Sequence, residues 1–129
     1  MVPRTKVFRH IFRFHGLWES MELATKGIIY LFLFHRNMRI IFMMGLAAFL
    51  LGIYLELSGI ELVALCITIA LVFMAEIFNT AIEMMMDILT VKYRIRIKLV
   101  KDIAAAVVLL TSLNAVGVGI ILFWKRLFK

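Results

Sequence analysis

Long apolar runs separated by short polar or basic stretches set the plan of this chain. Three runs reach the roughly 20 residues that a helix needs to cross a hydrocarbon layer. They are residues 40–57 (IIFMMGLAAFLLGIYLEL), residues 60–86, and residues 103–124 (IAAAVVLLTSLNAVGVGIILFW). A backbone in lipid must satisfy its own hydrogen bonds, so open runs of this kind are helices. Only Ser58 and Gly59 separate the first two runs, which predicts an antiparallel hairpin. The second connection, residues 88–101, is longer and basic (ILTVKYRIRIKLVK). Ahead of the first run, Met21, Leu23, Ala24, Ile28, Leu31 and Phe32 can share one helical face, with Glu19, Glu22 and Lys26 on another. That pattern predicts an amphipathic helix lying in the membrane interface within residues 1–37. The apolar stretch 28–34 is too short to span. The expected fold is an all-α membrane protein: one domain over residues 1–129, with an N-terminal surface helix and three transmembrane helices.

Composition agrees with lipid as the solvent. Of 129 residues, 64% are hydrophobic and 18% charged, and the mean hydropathy is +1.03. So short a chain cannot bury that much apolar surface in a water-facing globule. The formal charge of +7 does not mark a nucleic-acid binder, because the basic residues flank apolar segments instead of forming one solvated face with stacking aromatics. They report orientation. Seven Lys and Arg precede the first run and five lie in the second connection, against three after the last run. The positive-inside bias therefore puts the N-terminus and the basic connection in the cytoplasm. Scattered charges over residues 1–27 leave no continuous apolar stretch of the signal-peptide kind. Cys66, the one cysteine, reads as a small buried hydrophobe.

The second run is more than an anchor. Glu76, Asn79, Glu83 and Asp87 recur at spacings of 3, 4 and 4, which places them within roughly 80° of one another on a helix. A carboxylate at membrane depth is costly unless paired, coordinated or protonated, so cationic groups are expected beside the stripe. Lys101 and Asp102 open the third run, next to the stripe if the two helices pack antiparallel. Acidic side chains, a lysine suited to phosphate oxygens and a candidate base are the parts of a phosphoryl-transfer site. The same stripe also fits a proton relay in a small transporter, although that use leaves Lys101 and Asp102 without a role.

The run Glu76-Ile77-Phe78-Asn79-Thr80-Ala81-Ile82-Glu83, followed by Asp87 and Lys101-Asp102-Ile103-Ala104-Ala105, resembles the prokaryotic diacylglycerol kinase and undecaprenol kinase family. The segment Arg36-Asn37-Met38-Arg39 is similar to the one that precedes the first span in the undecaprenol kinase branch. The resemblance extends over about residues 20–124. It implies a homotrimer in the bacterial inner membrane that uses ATP and Mg²⁺ to phosphorylate the hydroxyl of a membrane lipid. It further implies Glu76 as the catalytic base and Glu83, with the position of His35, at the metal. Asn79, Asp87, Tyr93, Lys101 and Asp102 would serve the nucleotide, and Asn37 and Arg39 the lipid substrate.

Two departures from the family pattern matter. His35 stands where the family has a metal-binding glutamate, and imidazole is a poor ligand for hard Mg²⁺. Lys92-Tyr93-Arg94 stands where the family shows Glu-Tyr-His. These changes support an alternative, a non-catalytic membrane scaffold that retains the architecture. The lipid kinase reading rests on the intact acidic stripe and Lys101-Asp102.

Overall fold

The computed structural model describes residues 16–89 and 94–128. Among them there are four helices and no strand: α1 (Leu17–Phe34), α2 (Arg36–Tyr54), α3 (Gly59–Ile88) and α4 (Arg94–Leu127). Three of these, α2, α3 and α4, are long and apolar enough to cross a membrane. The all-α membrane architecture read from the sequence is the one observed.

The helix α1 forms a unit of its own. None of its residues is buried. Glu22 and Lys26 pair across one turn at 3.3 Å, both well exposed, and the Thr25 hydroxyl donates to the Met21 carbonyl. The helix stops at Phe34, because His35 takes an extended backbone (φ −119°, ψ 111°) and begins the second unit as the N-cap of α2.

The second unit, from His35 onward, is built on two contacts. In the first, α2 and α3 form the expected hairpin. Its turn is fixed by a reciprocal cap: the Glu61 amide donates to Ser58 Oγ at 3.3 Å, and the Ser58 amide donates to Glu61 Oε2 at 2.9 Å. This arrangement satisfies two amides that a helix start otherwise leaves open. Glycines let the helices approach. A Cβ at Gly52 would sit 3.0 Å from both Leu57 and Leu65, and one at Gly45 would sit 2.9 Å from Ile69. Close approach through small residues is a common solution in lipid, where apolar burial drives association weakly.

In the second contact, α4 packs antiparallel on α3, and two ion pairs set the register. Arg126 meets Glu61 at 2.9 Å at one end. Lys101 meets Asp87 at 2.6 Å at the other. The pairs are 26 residues apart on α3 and 25 on α4, or roughly 38 Å along each axis. A hydrocarbon core is about 30 Å thick, so the pairs fall at or beyond its edges. Each charge thereby keeps access to water or headgroups.

The structure differs from the sequence reading in several details. The basic connection is largely helical: α4 starts at Arg94, nine residues before the apolar run. Hydropathy marks where lipid begins, while the helix continues through the charged turns, where Lys98 and Asp102 pair at 3.0 Å. Cys66 is exposed, not buried. A Cβ at Gly117 or Gly119 would meet nothing within 4 Å among the described residues. Met84 and Met85 are exposed. Glu61, at the hairpin turn, is held by Arg126.

Candidate active site

Helical register brings the first group of polar residues together. Asn37 lies 17 residues from the end of α2 at Tyr54, and Glu76 lies 17 residues from the start of α3 at Gly59. At 1.5 Å per residue both stand roughly 25 Å from the hairpin turn, close to the far edge of a hydrocarbon core. Arg36 and Arg39, both exposed, mark that edge on α2. The one carboxylate that α3 buries is therefore at the boundary of the core and not in its middle.

Glu76 belongs to the packed side of α3, with Leu65, Thr68, Ala75 and Thr80, and is only 4% exposed. Its carboxylate accepts a hydrogen bond from the Asn37 side chain and is within electrostatic reach of both Glu83 and His35. A buried carboxylate is costly without such donors, because it forfeits the hydration of the free group. Glu83, two turns further along α3, is exposed. It is also close enough to Lys101 to interact with its charge. Lys101 in turn donates to Asp87 Oδ1. One continuous acidic track thus runs from the buried Glu76 through Glu83 to the exposed Asp87, with a lysine at its outer end.

The residues expected at the site divide into two groups. Glu76, Glu83, His35 and Asn37 converge, and Lys101 and Asp87 join them through Glu83. Asp102 does not. It turns along its own helix to Lys98, so Lys101 and Asp102 form no joint clamp, for the simple reason that adjacent helical residues point about 100° apart. Asn79 is half-buried one turn from Glu76, and among the described residues no hydrogen bond engages its side chain. Arg39 is exposed on α2. Tyr93 lies outside the described residues. Sequence reasoning missed the direct Asn37–Glu76 bond, and its signal was the equal offset of the two residues from the hairpin turn. It also missed the Glu61–Arg126 pair, signalled by charges spaced like those of Asp87 and Lys101.

Residues 22–123 match the prokaryotic diacylglycerol kinase family. The chain belongs to that family. It is 39% identical over 106 residues to a diacylglycerol kinase of Synechocystis, an overlap of 81% of this chain and 60% of that relative. It is 30% identical over 122 residues to an undecaprenol kinase of Bacillus subtilis, an overlap of 95% of this chain and 89% of that relative. The chain therefore spans about three fifths of the Synechocystis protein and most of the Bacillus one. No solved structure matches it.

For a prokaryotic diacylglycerol kinase family member, the donor set can be tested against a divalent ion. Among the described residues, no three His, Cys, Asp or Glu side chains form an all-protein metal cage. Mg²⁺ does not need one, since it is usually held by one or two carboxylates plus water and the phosphates of its nucleotide. Glu83, exposed and within electrostatic reach of the Glu76 carboxylate, fits that mode. His35 fits it poorly, because neutral imidazole suits softer metals.

Proposed function

We propose that this chain is an ATP-dependent lipid kinase, which moves the terminal phosphoryl group of ATP to the hydroxyl of a membrane lipid, undecaprenol or diacylglycerol. The observation that carries this reading is the buried Glu76, hydrogen-bonded by Asn37 at the edge of the apolar zone and continuous with Glu83 and Lys101. A lipid headgroup hydroxyl reaches that depth without leaving the bilayer. Glu76 takes the hydroxyl proton as the oxygen attacks the terminal phosphorus. The new O–P bond forms as the bond to the departing ADP breaks. Phosphoryl transfer needs little covalent help from a protein and depends on position and charge stabilisation. Asn37 and Arg39 orient the acceptor. Lys101 neutralises phosphate charge, and Asn79, Asp87 and Tyr93 serve the nucleotide. Glu83 would hold Mg²⁺, which would offset the charge of the phosphates.

The same reading includes a homotrimer in the bacterial inner membrane, with the N-terminus and the Asp87–Lys101 end in the cytoplasm. The distribution of Lys and Arg supports that orientation. Asn114 supports association. It is exposed in the apolar part of α4, where an amide without a partner is costly in lipid, and among the described residues no hydrogen bond engages its side chain.

A second reading, a non-catalytic scaffold, is favoured by the imidazole of His35 beside Glu76. One assay separates the two. Purified protein in bilayers receives labelled ATP, Mg²⁺ or Mn²⁺, and either undecaprenol or diacylglycerol. A labelled phospholipid that is lost in Glu76→Gln supports the kinase. Nucleotide binding without transfer to either lipid supports the scaffold.

A further inference from the structure

Among the described residues the threonines are Thr25, Thr68, Thr80 and Thr111, all on helices. Three of them treat the hydroxyl alike. Thr25, Thr68 and Thr111 each donate to the carbonyl four residues back, those of Met21, Ala64 and Val107, at 2.8, 2.8 and 3.0 Å. That bond spares a hydroxyl the cost of going unpaired in an apolar setting. Thr80 does not make it, and the carbonyl it leaves aside is that of Glu76. Thr80 is the most buried of the set, 3% exposed, yet among the described residues no hydrogen bond engages its hydroxyl. No fully enclosed side-chain oxygen or nitrogen there lacks a partner. The unpaired hydroxyl is therefore not sealed off, and the small opening that Thr80 retains is at its oxygen.

We propose that Thr80 is a further residue of the reaction centre, whose hydroxyl donates to the oxygen of the acceptor alcohol while Glu76 takes that alcohol's proton. The inference rests on the lipid kinase reading and adds a residue to it. Helical side chains lean toward the N-terminus, so Thr80 lies over the turn that carries Glu76. Residues four apart on a helix have Cβ atoms about 5–6 Å from each other. An oxygen that accepts from a hydroxyl and donates to a carboxylate spans two bonds of about 2.7 Å each. A single alcohol oxygen therefore fits between the two side chains. With its hydrogen on Glu76 and one lone pair on Thr80, that oxygen has its second lone pair left to face phosphorus. The O–P bond forms from this pair as the bond to ADP breaks, the proton passes to Glu76, and Thr80 keeps its own hydrogen throughout. Such alignment is what phosphoryl transfer chiefly asks of a protein. In the empty site the donor stands unpaired at a cost, and the arriving alcohol relieves it.

Two substitutions separate the hydroxyl from the shape of the side chain. Thr80→Val keeps the shape and removes the hydroxyl, whereas Thr80→Ser keeps the hydroxyl and removes the buried methyl. The full chain in bilayers receives labelled ATP and Mg²⁺ with farnesol or dioctanoylglycerol as acceptor, and thermal unfolding is followed in parallel. Thr80→Val is expected to lower kcat at least tenfold through misalignment with the KM for ATP unchanged. It should unfold no more easily than the unaltered chain, since an unpaired donor is gone. Thr80→Ser should retain most of the activity and unfold more easily. An active Val variant beside an impaired Ser variant would reduce Thr80 to packing, and a raised KM for ATP at constant kcat would put the hydroxyl on the nucleotide; either overturns the inference. A second readout needs no turnover. Without ATP, the alcohol should raise the unfolding temperature of the unaltered chain and of Thr80→Ser beyond the effect of the matching hydrocarbon. For Thr80→Val the rise should be less than about half as large, as weaker binding requires. Equal rises in all three, or none in the unaltered chain, would also overturn it. Failure of the kinase reading looks different: the binding pattern holds, but no label reaches either lipid.

Discussion

Removing the Asn37 amide should destabilise the chain through Glu76, and the size of the effect follows from burial. Glu76 is 4% exposed and accepts from Asn37, while Asn37 itself is exposed. Truncation to alanine therefore removes little packing and leaves a buried acceptor without its donor. Hydrogen bonds to charged groups contribute about 1.5–3 kcal/mol, and stranding the partner costs a similar amount. Asn37→Ala should thus lower the unfolding free energy by about 2 kcal/mol, close to a 30-fold change in the equilibrium constant at about 1.4 kcal/mol per tenfold. Glu76→Gln replaces the carboxylate by a neutral amide and removes most of the need for that donor. The double variant should then be less destabilised than the sum of the singles, with a coupling of about 1–2 kcal/mol. Reversible unfolding in mixed micelles, followed by far-ultraviolet circular dichroism, measures all four corners of the cycle. Additivity within about 0.5 kcal/mol, the behaviour of independent sites, would show that the two side chains do not meet, and the depth argument for the site would fall with it.

Three further outcomes are expected. His35→Glu should raise Mg²⁺-dependent phosphoryl transfer by restoring a hard oxygen ligand beside Glu76; an unchanged rate in the labelled-ATP assay removes this position from the metal. Lys101→Gln should cost little stability, because its partner Asp87 is exposed and the pair stands at the wet end of the helices. It should nevertheless raise the KM for ATP at least tenfold, whereas Lys98→Gln, which pairs with Asp102, should leave KM within about twofold, a range set by its exposed pair. Gly52→Val should destabilise by about 1–3 kcal/mol through overpacking against Leu57 and Leu65; Gly117→Ala, facing open space, should carry no such penalty in the same unfolding assay.

Much of this protein is written in one dimension. Residues 40–57, 60–86 and 103–124 announce three lipid-crossing helices, because lipid imposes a minimum apolar length and forbids unsatisfied backbone. The spacing of Glu76, Glu83 and Asp87 announces a stripe, because a helix repeats every 3.6 residues. These are local properties, and each survives whatever the helices pack against. The junction at His35 and the long helical approach from Arg94 were harder to see, since a polar segment reads alike whether it is a loop or a solvated helix.

Which groups touch was decided only by packing. Lys98 and Asp102 stand four residues apart on one helix, so local spacing alone pairs them; that Lys101 meets Asp87 is decided by the rotation of α4 against α3. Asn37 reaches Glu76 because a two-residue turn holds α2 and α3 in register and Gly45 and Gly52 allow them to approach. Depth, pairing and enclosed space are relations between helices, so they appear only once the interhelical distance is fixed. Helix identity needs no such distance, and for that reason the chain declares it residue by residue.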